Sequence, residues 1–145
     1  MDAAGVTVGL GTDGCASNNN LDMFQEMDTA AKLQKVHHLD PTALPASQTL
    51  ALATRGSAAV LGLEQEVGSL MPGRKADLIV IDLNQPHLTP LYDPYSHLVY
   101  AAGGADVQTV LVNGRLLVQD RRVLAFDLEE TLAKARELAR RVKGE

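Results

Sequence analysis

Residues 9–27 read GLGTDGCASNNNLDMFQEM, and the rest of the chain is read outward from this stretch. Overlapping its start, Val6 to Leu10 is a short apolar run with β-branched residues, bounded by Gly5 and Gly11; the pattern predicts a buried strand. GTDGCASNNN is a polar, glycine-rich loop. From Leu21 to about Val36 the apolar positions Leu21, Phe24, Met27, Ala31 and Leu33 fall near helical spacing. Asn20 is placed to cap that helix, and Asp22 suits its positive end. Asp13 therefore stands just past the C-terminal end of a strand, in a loop that leads into a helix. In barrels and open α/β sheets this is where catalytic groups project. Gly11 and Gly14 let the backbone turn tightly and keep space around the carboxylate clear. The same residues suit a plain turn in which the Asp side chain bonds its own backbone, and spacing alone favours that blander reading.

Outward from this stretch, HHLDPTALP breaks the helical pattern with two prolines, and a second helix starts at Ser47. It carries Leu50, Ala53, Ser57, Ala58 and Leu61 on one face, with Gly62 as C-cap and Leu63 as its hydrophobic follower. Beyond residue 62 the character changes. VGSLMPGRKADLIVIDL puts a Pro-Gly turn before a β-rich run, Leu78 to Leu83, and a proline-rich loop and a short apolar stretch, Leu98 to Ala102, follow. Asn113-Gly114 lies between two β-branched runs, which predicts a hairpin closed by a type I′ turn. The last region is a helix over about 128–143, with Asp127 as N-cap and Glu130 completing a variant capping box. Leu128, Leu132, Ala135, Leu138 and Val142 form one apolar stripe, expected to dock, and Glu130/Lys134 and Glu137/Arg141 are favourable i,i+4 pairs. The elements predict an α/β class.

Composition narrows the function. The chain has 145 residues, 46% of them apolar, and 13 Lys+Arg against 18 Asp+Glu give a net charge of −5. One soluble domain is expected. The acidic balance argues against nucleic-acid binding, and the absence of Trp argues against a base-stacking platform. No apolar run approaches the roughly 20 residues that span a bilayer, and the N-terminus lacks a signal peptide's basic region. Cys15 is the single cysteine, which favours a reducing compartment, and a cytoplasmic location is expected. With no His partner nearby, Cys15 reads as a small buried filler. The four histidines show no HxH or HxxxH pair. His37 and His38 read as exposed loop residues, and His87 and His97 as structural hydrogen-bonders. Pro72-Gly73-Arg74-Lys75 lacks phosphate-loop spacing and reads as a turn. Within Ser17–Asn20 the role of Ser17 stays open.

Several strings are recognisable together: TDGCASNNNLDMFQEM, ALPASQTLALATRGSAAVLGL, GSLMPGRKADLIVID, PHLTPLYDP and the VLVNGRLLV hairpin. They resemble the C-terminal part of the metal-dependent amidohydrolase superfamily. Within it they are most similar to the branch of S-adenosylhomocysteine and 5′-methylthioadenosine deaminases and their triazine chlorohydrolase relatives. The resemblance implies that residues 1–62 are the last strand and following helices of a (β/α)8 TIM barrel. Residues 63–126 would be the C-terminal part of a composite β-sandwich domain, and 127–145 a terminal helix. It implies one divalent metal, Zn2+ or Fe2+, held by an HxH pair, a further His and an Asp, the last position matched by Asp13. Asp13 would be metal ligand and proton-shuttling catalytic carboxylate in one, and Ser17 would contact the substrate. The implied reaction is hydrolytic deamination of a purine nucleoside derivative, with release of ammonia. A triazine- or guanine-type ring hydrolase and a non-catalytic self-associating module are the alternatives.

The chain departs from the pattern in lacking the HxH pair, the further metal His and the catalytic Glu. A full barrel needs roughly 200–250 residues, and one carboxylate does not hold a catalytic zinc. The isolated chain is therefore expected to be inactive. Unpaired edges and exposed apolar faces are expected to drive homo-oligomerisation.

Overall fold

The computed structural model describes residues 4–144, so the outer limits of the first and third regions, residues 1–3 and 145, lie outside the described residues. The elements in order are α1 (Cys15–Asn18), α2 (Met23–His38), α3 (Ala46–Ala51), a π-turn (Leu52–Gly56), α4 (Ser57–Val60), β1 (Leu78–Ile81), α5 (Pro94–Tyr100), β2 (Val107–Val112), β3 (Arg115–Gln119), β4 (Arg122–Val123) and α6 (Leu128–Lys143). The strands form one antiparallel sheet in the order β1-β2-β3-β4. The fold is thus mixed α and β, as expected. Phe24, Met27, Ala31 and Val99 form the buried centre, with Leu10, Leu50, Ala53, Ile81 and Val107 packed around them. Helices α2 and α5 therefore share one core with the sheet, and Phe24, Met27 and Val99 each contribute about 1.5–3 kcal/mol relative to exposure.

Local chemistry explains several boundaries. Helix α2 starts two residues later than the spacing predicts because Asp22, and not Asn20, is the cap: its carboxylate accepts the Phe24 N–H at 2.9 Å. Asn20 instead accepts the Asp22 N–H at 3.0 Å and so presents the cap. The α3–α4 segment ends as expected, with Gly62 at φ 69°. The Leu63 N–H reaches the Ala58 carbonyl at 2.8 Å, and the Gly62 N–H reaches Ala59 at 3.1 Å. The Asn113-Gly114 hairpin also forms, with φ of 51° and 75°. A second turn of the same kind, Asp120-Arg121 at φ 49° and 62°, joins β3 to β4 without a glycine and escaped the sequence reading.

Three expectations are corrected. Val6–Leu10 is not a strand. A strand needs a neighbour to pair with, and the sheet of this chain is built entirely from residues 78–123. The end of the proline-rich loop is helical: α5 starts where Asp93 accepts the Tyr95 N–H at 3.0 Å and Pro94 takes the first helical position, and Leu98–Tyr100 complete it. Helix α6 forms with Asp127 accepting the Glu130 N–H at 3.0 Å and with both i,i+4 ion pairs. Its apolar stripe does not dock, however: no residue of α6 is buried. No helix among the described residues is long and apolar enough to cross a membrane.

Candidate functional site

Asp13 sits in the loop between Leu10 and α1, at φ 56°, a left-handed conformation that Asp adopts more readily than most residues. Its side chain is exposed, and its Oδ1 accepts the Gly14 N–H at 2.7 Å. The Thr12 hydroxyl donates to the Asp13 carbonyl at 3.1 Å. Ser17 follows on the single turn of α1, exposed, with its N–H on the Gly14 carbonyl at 3.0 Å. Asp13 and Ser17 thus share one solvent-facing loop.

Two clamps fix that loop. Downstream, the Asn18 amide donates to the Thr12 carbonyl at 2.9 Å and also to the Glu26 carboxylate on α2. Upstream, the Ser57 hydroxyl accepts the Leu10 N–H at 3.1 Å and lies 2.7 Å from the Leu10 carbonyl. Gly9 and Gly56 let the backbones meet: a Cβ on Gly56 would stand 2.6 Å from the Val8 carbonyl oxygen. The sequence reading placed Ser57 on an apolar helix face and missed this. The available signal was a hydroxyl among Leu50, Ala53, Ala58 and Leu61, directly after a glycine inside a helical pattern.

The donor set does not make a metal centre on its own. Among the described residues no group of three or more His, Cys, Asp and Glu side chains is close enough to hold a metal ion. A catalytic zinc takes three protein ligands and a water, and Asp13 offers one. The histidines stand elsewhere. His37 and His38 are exposed, as expected, but they end α2 and do not lie in a loop; their rings meet edge to face at 4.9 Å. His97 donates from Nδ1 to the Asp93 carbonyl at 3.2 Å, and His87 Nε2 lies 3.1 Å from Asp106 Oδ2, so both are structural as expected. Cys15 is exposed, which corrects its reading as a buried filler: no residue of the single-turn α1 is buried. Residues 72–75 are a turn with Gly73 at φ 87°. The Arg74 guanidinium is engaged by the Glu64 and Val67 carbonyls, and Lys75 is paired with Glu66.

Two further features lie away from the loop. Asp106 is buried, and its Oδ2 also accepts the Gly103 N–H at 2.9 Å. Burial pushes its carboxyl up, but His87 and the Gly103 N–H pull it further down, leaving it below the ordinary carboxylate range. Asp82 is held low by the Asn84 N–H, then by Gln85 and Arg121. These groups tie the proline-rich loop to the sheet. An open apolar groove of about 710 Å3 runs between α2, the α3–α4 segment and the sheet, lined by Met23, Met27, Leu61, Leu70 and Val110. Neither Asp13 nor Ser17 lines it.

The likeness to known proteins covers this loop and its clamps alike. The 5-methylthioadenosine/S-adenosylhomocysteine deaminase 1 of Syntrophus aciditrophicus is 59% identical over 139 residues, 96% of this chain and 31% of that protein. The 5′-deoxyadenosine deaminase of Methanosarcina mazei is 55% identical over 144 residues, 97% of this chain and 33% of that protein. A crystal structure of an adenosine deaminase from Xanthomonas campestris with bound zinc matches with a TM-score of 0.94 at 41% identity, over 99% of this chain and 33% of that chain. The chain spans about a third of the length of these relatives. The amidohydrolase family model matches residues 1–117, from before the Asp13 loop to the middle of β3, and the chain therefore belongs to the amidohydrolase family.

Proposed function

We propose that this chain forms the C-terminal third of a hydrolytic deaminase of adenosine derivatives, with 5′-methylthioadenosine and S-adenosylhomocysteine as the substrate class. The observation that carries the reading is the 59% identity, over 96% of the chain, to a protein named for that activity. In this reading residues 1–62 contribute the last strand position and following helices of a (β/α)8 barrel. Residues 63–126 contribute half of a composite β-domain, and 127–145 a terminal helix. The unpaired Val6–Leu10 segment and the open apolar groove support it, because both are surfaces that the remaining two thirds of such an enzyme would cover. By themselves these surfaces favour self-association, so the isolated chain is an inactive homo-oligomer.

Deamination replaces the exocyclic C–N bond of the purine with a C–O bond, water being consumed and ammonia released. Asp13 is the carboxylate this chain brings to that exchange: it takes a proton from the attacking water and delivers it to the departing nitrogen. Ser17, four residues on, contacts the substrate. A divalent metal, zinc or iron, would belong to the assembled centre, and Asp13 would be a ligand to it from this chain.

The test is a graft of this chain in place of the matching third of the Syntrophus aciditrophicus relative, assayed for ammonia release from 5′-methylthioadenosine, S-adenosylhomocysteine and 5′-deoxyadenosine. Activity on these substrates that disappears in Asp13→Asn is the expected result. An active graft indifferent to Asp13→Asn, or an inactive but folded graft, would sink the reading.

A further inference from the structure

We propose that Ser57 is the positioning residue of the Asp13 loop, clamping the Leu10 backbone that leads into it. The inference rests on the reading of Asp13 as the working carboxylate. Leu10 is three residues before Asp13, and its backbone is held from a site 47 residues away in sequence. The Ser57 Oγ accepts the Leu10 N–H at 3.1 Å and stands 2.7 Å from the Leu10 carbonyl and 2.9 Å from the Leu52 carbonyl. One hydroxyl proton serves one of these carbonyls, and the shorter distance favours Leu10. Both polar groups of the Leu10 backbone thereby meet a single side chain, as they would meet a neighbouring strand in a ladder.

The helix is shaped for this contact. The π-turn at Leu52–Gly56 places one extra residue in the helix just before Ser57. Glycine stands on both sides of the approach: a Cβ on Gly9 would lie 2.6 Å from the Ser57 Cα, and one on Gly56 would lie 2.6 Å from the Val8 carbonyl. Ser57 is thus seated where the two backbones touch. Asn18 holds the other side of the loop through the Thr12 carbonyl at 2.9 Å, so Asp13 follows directly on a segment pinned at residues 10 and 12. Ser57 acts on Asp13 only through this backbone.

The consequence is a separation of effects. Ser57→Ala leaves the Leu10 N–H with a single long contact, to the Leu52 carbonyl at 3.4 Å, and leaves the Leu10 carbonyl without its short partner. Asp13 keeps its chemistry but loses its fixed placement. Displacements of about 1 Å at a reacting group lower turnover by as much as roughly a hundred-fold while disturbing binding less.

Two readouts test this, on wild type, Ser57→Ala and Asp13→Asn. The first is amide hydrogen exchange of the full chain. Leu10 and its neighbours are expected to exchange about ten-fold faster or more in Ser57→Ala, while the Asn113-Gly114 hairpin amides, which report that the chain is folded, stay unchanged. The second is deamination by the graft, where Ser57→Ala is expected to lower kcat roughly ten-fold or more with KM moving less than about two-fold. Unchanged exchange at Leu10 in Ser57→Ala would overturn the clamp. Faster exchange with unchanged kcat, while Asp13→Asn abolishes turnover, would overturn its positioning role. Should Asp13→Asn remain active, the reading of Asp13 fails and the positioning role fails with it, whereas the exchange data still decide whether the clamp exists.

Discussion

Asp106→Ala is expected to destabilise the fold by about 2 kcal/mol. The Asp106 side chain is only 7% exposed, and its Oδ2 is the acceptor for the Gly103 N–H at 2.9 Å and for His87 at 3.1 Å. Truncation leaves the Gly103 N–H without its acceptor in a part-buried position, which costs about 1–3 kcal/mol. The His87 partner adds little, because its side chain is 52% exposed and water replaces the lost bond. For a chain of this size the loss corresponds to a Tm drop of roughly 4–8 °C. Asp106→Asn keeps an oxygen acceptor but loses its charge, so about half the effect is expected. The pH dependence follows from the direction of the shift. A carboxyl held below its ordinary range contributes stability above its unfolded pKa, near about 3.9, and loses it as pH falls through the lower folded value. Urea denaturation followed by circular dichroism measures both effects. The gap between wild type and Asp106→Asn should be full at neutral pH and closed in strong acid. An Asp106→Ala chain within about 0.5 kcal/mol of wild type at neutral pH would refute the reasoning, as would a gap to Asp106→Asn that is equally wide in acid.

Further predictions concern local structure. Gly114→Ala, at φ 75°, should cost about 1–2 kcal/mol by forcing an L side chain into the left-handed turn; the same urea transition reads it, and a neutral result would mean that the hairpin is not type I′. Deleting residues 128–145 should lower the helical signal yet change the urea unfolding free energy by less than about 0.5 kcal/mol, because no residue of α6 is buried; loss of cooperative unfolding would contradict this. Gly9→Ala should speed exchange at Leu10 as Ser57→Ala does, because its Cβ would meet the Ser57 Cα at 2.6 Å; unchanged exchange would mean that the two backbones are not in contact.

What could be read from the chain was what neighbouring residues decide between themselves. Asn113-Gly114, Gly62 with Leu63, and Asp127 with Glu130 each satisfy backbone groups within a few positions, so their turns and caps were visible. Asp93-Pro94 carries an equally local signal, a cap followed by proline at the first helical position, yet it was read as loop because prolines 86, 90 and 94 lie so close together. Val6–Leu10 was misread for a different reason. Its composition suits a strand, but pairing is a property of neighbours, and none of β1–β4 pairs with it. The apolar stripe of α6 likewise states what the helix is fit to bury without stating what it meets. At the candidate site, position and likeness single out Asp13 and Ser17, and both lie on one exposed loop. Ser57 was missed because its role depends on a contact 47 residues distant.

The central proposal is that Asp13 is a carboxylate this chain contributes to a metal centre completed by other residues. Elemental analysis of metal per chain tests it most directly, on the graft, on its Asp13→Asn form and on the 145-residue chain alone. Close to one zinc or iron is expected in the graft, with a marked loss in Asp13→Asn and no stoichiometric metal on the isolated chain. Full metal content in Asp13→Asn, or one tightly held ion on the chain alone, would contradict it.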